Sequence, residues 1–431
     1  MALTGRSVVL ALLGVVPVLL RPTPATAWWW VLAVAILIAV DVLLAPAPSG
    51  LLMHRDEVGQ VRLGESTSTS LVVRNTGRRT VRGLLRDAWQ PSAGATSNRH
   101  RIGIPGGEQV RLTSMLTPNR RGDRKADRVT VRSTGPLGLA ARQSSMSVPG
   151  SVRCVPPFPS RRHLPSKLAQ LREIDGRAAV RVRGQGTEFD SLRDYVDGDD
   201  VRSLDWRATA RRQHLVVRTW QPERDRRIVL LLDTSRTSAG RVLDIPRLDS
   251  EMDAALLLAA LASRAGDRVQ LLAGDRRVHA QVSGVTDRSQ LLHRLITTMA
   301  PLEPALVEAD WRALAGAVAG LSRHRALVVL LTALEPAAIE EGLLPVLPGL
   351  VQHHRVVLAS VADPAVEAAA TDRSDTPHTY DAAAAERTRA LRRRTREALH
   401  RLGVTVIDEP PERLPVALVD HYLLLKREGL L

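Results

Sequence analysis

The segment Ala27–Ala45, AWWWVLAVAILIAVDVLLA, carries a single charged residue, Asp41. A stretch this long and this apolar has few folded options, because a bilayer core takes up about 20 such residues as one helix. Trp28, Trp29 and Trp30 stand at its start, the place of an interfacial aromatic belt. Asp41 lies near its far end, where headgroups or a protein partner reduce the cost of a charge. A second apolar run, Ser7–Leu20, precedes it, preceded by Arg6 and interrupted by Pro17. Read together, residues 1–50 are expected to form two transmembrane helices joined by the short turn Arg21–Thr26. That predicts a multi-pass protein of the cell membrane whose remaining chain is cytoplasmic. The basic flank after residue 51 agrees with the positive-inside tendency. Arg6, the first run and Ala25-Thr26-Ala27 also fit a signal peptide with a small-residue cleavage site, and this alternative stays open.

The charge is uneven. The 431 residues hold 60 Lys+Arg and 45 Asp+Glu, for a net +15. Residues 51–150 alone hold 17 basic and 7 acidic residues, whereas residues 228–431 hold 24 and 26. The excess therefore sits beside the apolar N-terminus, where an anionic lipid bilayer attracts it. Nucleic acid is the weaker reading, since the arginines are scattered along strand-like segments and only 3% of residues are aromatic, too few for a stacking platform. The single cysteine, Cys154, excludes an internal disulfide framework. None of the three lysines, Lys125, Lys167 and Lys426, follows a glycine, so the chain has no Walker phosphate-binding loop.

Residues 51–150 alternate apolar and polar positions over Val58–Leu63, Ser68–Arg74, Thr80–Trp89, Gln109–Leu116 and Arg128–Ser133, with Gly- and Pro-containing turns between them. This pattern predicts a small β-sandwich. Residues 151–183, rich in proline and arginine at their start, read as a linker or extended arm. From 227 to 431 continuous apolar runs such as RIVLLL (Arg227–Leu232) alternate with helical patterns. That predicts an α/β domain with a parallel sheet covered by helices on both faces.

Between these lies residues 184–226, where carboxylates and arginines crowd together. Glu188, Arg193, Asp199, Asp200, Arg202, Asp205 and Arg211 can brace an irregular segment through bidentate pairs, anchored by Phe189, Leu192, Tyr195, Leu204 and Trp206. The same residue types also suit a docking face for a partner. The order Gly186, Glu188, Phe189, Leu192, Arg193, Tyr195, Gly198, Asp199, Asp200, Arg202, Asp205, Trp206, Thr209, Ala210, Arg211 resembles the signature of the bacterial domain-of-unknown-function 58 family. Asp197 stands where that family often has proline. Arg121-Gly122 and Gly135-Pro136-Leu137-Gly138-Leu139 resemble its β-domain.

Asp233, Ser235 and Thr237 follow the first buried run, at the strand end where α/β sheets collect ligands. This Asp-x-Ser-x-Thr resembles the metal-ion-dependent adhesion site of von Willebrand factor A domains, and the resemblance implies that fold, with magnesium as cofactor held by hard oxygen ligands. The aspartate that completes such sites after the central strand is missing from Thr332-Ala333-Leu334-Glu335. For the later-loop threonine, Thr297 and Thr298 are the available candidates. A purely structural role is also open, in which the hydroxyls cap the turn and Asp233 satisfies loop amides. The family resemblance further implies a non-enzymatic membrane scaffold or adaptor for a MoxR-type AAA+ ATPase. The alternative is a metal-dependent hydrolase using Asp233 with the acidic segment 188–205.

Overall fold

The computed structural model describes residues 2–181, 188–197, 199–221, 226–285, 287–322 and 324–431, the side chains of 175–191 and 219–221 excepted. The chain divides into two compact units, Met1–Val155 and Pro156–Leu431.

In the first unit, Pro24–Leu44 is one continuous helix, started by Pro24 in its first turn and by the Thr23 hydroxyl, which accepts from the Thr26 amide. It is long and apolar enough to cross a membrane, with a mean hydropathy of 2.4. The first apolar run is shorter, Gly5–Leu20, broken into Gly5–Leu12 and Val15–Leu20. The two transmembrane helices expected from sequence thus reduce to one helix of spanning length and one short apolar helix.

The rest of this unit is two facing sheets. One is seven-stranded, the other, with Leu51–Arg55, Thr67–Asn75, Gln109–Leu116 and Ala95–Thr96, four-stranded. Alternate residues of both, including Leu51, Leu71, Val73, Val81, Leu85, Ile104, Val129 and Val131, fill one shared core. A buried ion pair interrupts the apolar filling: Arg55 donates to both oxygens of Asp87 at 2.8 and 2.6 Å. Trp89 Nε1 donates to the same carboxylate at 3.1 Å, and the guanidinium carbon lies 4.7 Å from the Trp89 ring centroid.

Asp41 has a partner that its place in an apolar helix did not predict. Its carboxylate is fully buried and accepts from the amides of Leu137, Leu139 and Ala140 at 2.7, 2.7 and 2.9 Å. A Cβ at Gly135 would overlap both the carboxylate and the Asp41 carbonyl, so the glycine lets the loop approach. The stretch Gly135–Leu139 singled out by the family resemblance is thereby the socket for the helix end. The N-terminus joins it. Ala2 and Leu3 pair with Ala141 and Ala140, and the Thr4 hydroxyl donates to the carbonyl of Gly138 at 2.6 Å.

The second unit begins where sequence predicted a linker. Ser151–Val155 is still a strand of the first unit, and Leu164–Arg181 is a helix. Phe158, Leu164, Leu168 and Leu171 pack into the core of the second unit, and the Ser160 hydroxyl donates to Asp253 at 2.7 Å. Burial pushes the Asp253 carboxyl up to about 6. Six strands form the main sheet: β1 Arg227–Asp233, β2 Arg268–Gly274, β3 Val278–Val282, β4 Leu327–Leu331, β5 Arg355–Val361 and β6 Thr405–Glu409. Their order is β3-β2-β1-β4-β5-β6. All neighbours are parallel except β2–β3. β1 and β4 are buried along nearly their whole length, which is why they read as unbroken apolar runs. Helix Arg247–Arg264 lies in one core layer and Trp311–Leu321 in the other, so both faces are covered.

Candidate functional site

β1 runs outward from the middle of the sheet to β2 and β3, and β4 continues in the opposite direction. The carboxyl ends of these two strands flank the point where strand order reverses, the usual place for a ligand crevice in an open α/β sheet. Asp233 ends β1 and Thr332 directly follows β4. Together with Ser235, Arg236, Thr237, Glu308, Trp311 and Glu341 they line a crevice of about 270 Å³.

Asp233 is the hub. Its Oδ1 accepts the Ser235 amide at 2.8 Å. Its Oδ2 accepts the hydroxyls of Thr237 at 2.9 Å and Thr332 at 2.6 Å. The Ser235 and Thr237 hydroxyls are 3.1 Å apart. All four residues are buried. The first three were legible in the sequence. Thr332 was not, because an aspartate is the residue sought at that turn. Glu335, three residues on, turns away and forms an ion pair with Arg247 at 3.0 Å. Thr297 and Thr298 are not part of the crevice. They line a different cavity with Gln281, Ser283 and His293, and the Thr297 hydroxyl donates back to the His293 carbonyl. The later loop contributes backbone instead: the Ala305 amide donates to the Thr234 carbonyl at 2.8 Å, and Arg236 donates its amide to Val307.

Behind the crevice, Glu251 is fully buried. Burial, and next the nearby charge of Asp233, push its carboxyl up to about 8, so it is neutral at pH 7. The Ser238 hydroxyl donates to one oxygen at 3.2 Å, and the other has no hydrogen-bond partner. Among the described residues no group of three or more His, Cys, Asp or Glu side chains converges as a metal cluster.

The carboxylate–arginine segment is a self-contained brace. Strand Glu188–Asp194 pairs antiparallel with Val216–Gln221. Arg193 forks onto Asp199 at 2.8 and 2.6 Å, which holds the Asp199 carboxyl below its usual range. Asp200 accepts the Arg202 amide. Asp205 caps helix Trp206–Arg212 through the amides of Arg207 and Ala208, each at 3.0 Å. Those bonds, with Arg218 Nε at 2.7 Å, lower its carboxyl too. The Tyr195 amide donates to the Leu215 carbonyl at 2.9 Å. Gly186 lies outside the described residues, and of Glu188 only the backbone is described. Trp206 corrects the sequence expectation. It is not a buried anchor but 68% exposed, and Val196 and Val201 of the same segment are exposed too. Val216 and Val217 are buried in its stead. Arg202, Arg207 and Arg211 are exposed as well.

Residues 191–415 match the family described as "Protein of unknown function DUF58", a stretch that takes in both the brace and the crevice. Uncharacterized proteins of Mycobacterium bovis and Mycobacterium tuberculosis are 29% identical over 190 residues, covering 42% of this chain and 57% of theirs. The match thus spans little more than half the length of these relatives. Among solved structures, a PapD-like domain of human CEP192 gives a TM-score of 0.20 at 11% identity, over 25% of this chain and 89% of that one. A Porphyromonas gingivalis protein of unknown function gives 0.20 at 18%, over 26% and 50%. Scores this low carry no argument about the fold.

Proposed function

The chain belongs to the DUF58 family, and from that premise we propose that it is a membrane-anchored scaffold or adaptor working with a MoxR-type AAA+ ATPase, without a reaction of its own. The observation that carries this reading is Trp206. Asp199, Asp200 and Asp205 of the signature are consumed in bracing their own segment, while its one tryptophan projects into solvent at 68% exposure. An exposed tryptophan in a segment that also exposes Arg202, Arg207 and Arg211 offers the residue types that dominate binding energy at protein interfaces. The hydrolase alternative is not favoured, because among the described residues none of 188–205 lines the crevice around Asp233. Capture of the ATPase on the full chain in detergent tests the proposal. Trp206→Ala should weaken retention by roughly thirtyfold, about 2 kcal/mol, with the fold intact. Undiminished retention, or no retention by the wild type, would reject it.

The second unit is read as von Willebrand factor A-like. Supporting this are the sheet order with its antiparallel edge strand and the Asp-x-Ser-x-Thr turn at the strand reversal. The crevice donors are of the type a hard cation takes: magnesium would be held by Asp233 and the hydroxyls of Ser235, Thr237 and Thr332, and would present an open position to an acidic side chain of a partner. With a single carboxylate the affinity should be on the order of millimolar. Thr332→Asp should tighten it by roughly tenfold through the added charge, and Asp233→Ala should abolish it. Calorimetric titration with magnesium chloride checks this; no heat from the wild type or from Thr332→Asp would refute the ion.

Gly5–Leu20 is read as a second, shorter crossing, with both soluble units cytoplasmic. In support, Ala2–Leu3 and the Asp41 socket meet the same stretch of chain, Leu137–Ala141, so both ends of the hairpin return to one side.

A further inference from the structure

The outer face of the seven-stranded sheet carries charge that nothing on the sheet answers. Leu84 is in register with both Arg101 and Arg132, and Arg86 with both Arg99 and Thr130. Leu85, Ile102, Ile104, Val129 and Val131 of the same strands fill the core. Strand alternation therefore turns Arg82, Arg86, Arg99, Arg101 and Arg132 outward together, and all five are exposed. Arg132 donates to Gln143 at 2.8 Å. Among the described residues no carboxylate pairs with any of the five. Arg86 and Arg99 stand directly opposite each other across neighbouring strands, an arrangement that destabilises a sheet unless an anion lies between the guanidiniums.

The position of this face supplies the ligand. Strand Gly122–Thr134 runs without a break into the loop whose amides at Leu137, Leu139 and Ala140 are held by Asp41, at the end of the apolar helix. Thr134 and Thr130 are about 13 Å apart along the strand. The arginine rows therefore begin at the helix end and extend over little more than a Debye length, about 8–10 Å. Guanidinium forks match phosphate oxygens bidentately. Among the described residues the face offers no aromatic side chain on which a nucleobase could stack.

We propose that this arginine face binds the anionic phospholipid headgroups of the leaflet around helix Pro24–Leu44. The inference rests on the membrane reading of that helix and adds a second attachment, made by the β unit itself.

The test uses the full chain with Ser145→Cys. Ser145 lies opposite Thr130 on the same face, and the native Cys154 is buried. A fluorophore on this cysteine is read against a lipid-phase quencher in phosphatidylglycerol/phosphatidylcholine vesicles. Quenching is expected with phosphatidylglycerol, and loss of it in pure phosphatidylcholine or high salt. Arg→Gln substitutions at 82, 86, 99, 101 and 132, made singly and together, should each lower the docked-to-free ratio by about fivefold. The single variants keep the test valid should the combined one misfold. Quenching that ignores lipid charge, or that survives the arginine variants, would overturn the proposal. So would displacement by an oligonucleotide at lower phosphate concentration than by soluble phosphatidylglycerol. Vesicle flotation separates the two layers of the argument: a chain that floats with an unquenched probe refutes the arginine face, whereas a chain that does not float refutes the membrane reading beneath it.

Discussion

Asp41→Ala is expected to cost the first unit roughly 3–6 kcal/mol, because it strips three amide donors of their acceptor at once. Leu139 and Ala140 are buried, so water cannot take the place of the carboxylate without opening the socket. The loss should appear as a lower unfolding midpoint of the full chain in detergent and as new proteolytic cleavage between 134 and 141. Asp41→Asn should be intermediate: it keeps one acceptor oxygen but presents an amide donor where two donors already converge. A variant with wild-type stability and cleavage pattern would mean that the socket contributes nothing. Arg142, whose guanidinium donates to the Ala45 carbonyl at 3.3 Å, and Arg79, which donates to the Leu44 carbonyl at 3.5 Å, would then have to hold the helix end.

Arg55→Met should cost about 3–5 kcal/mol, since it leaves Asp87 charged, buried and without its countercharge. The pair is nearly sealed, with side-chain exposures of 2% and 1%. Trp89 Nε1 would remain as one donor to the stranded carboxylate, too little to replace a bidentate guanidinium. The double substitution Arg55→Met/Asp87→Leu removes both charges and should recover most of the loss, because a well-packed apolar pair is often no less stable than a buried ion pair. Chemical denaturation of the wild type and the three variants measures the coupling. A double variant as unstable as Arg55→Met would show that the charges direct the packing of the two sheets rather than merely compensating each other.

How far the sequence exposes this molecule depends on the range of the interactions. β1 and β4 are recognisable because burial on both faces leaves an unbroken apolar record within one segment. Asp233, Ser235 and Thr237 are recognisable because they sit within five residues of one another. Thr332 escapes because its bond to Asp233 spans 99 positions, and threonine at that turn carries no signature of its own. Asp41 looks like a liability in an apolar helix until the loop 98 residues later supplies its donors. The helix Leu164–Arg181 escapes for a local reason: it opens on Leu-Pro after a proline-rich stretch, and its polar residues outweigh its apolar stripe. Trp206 is misjudged by the habit of treating large aromatics as core, whereas the fold spends valines on that task.

The pairing of Ala2 and Leu3 has a temporal consequence. Ala2, Leu3 and Thr4 are bonded to residues synthesised long after them, with Thr4 meeting the carbonyl of Leu139 across 135 positions. Until that later strand is synthesised, the first residues have no place in the sheet. On the membrane reading proposed above, helix Pro24–Leu44 enters lipid before strand Ala140–Met146 exists, so the socket that clasps Asp41 closes only after insertion.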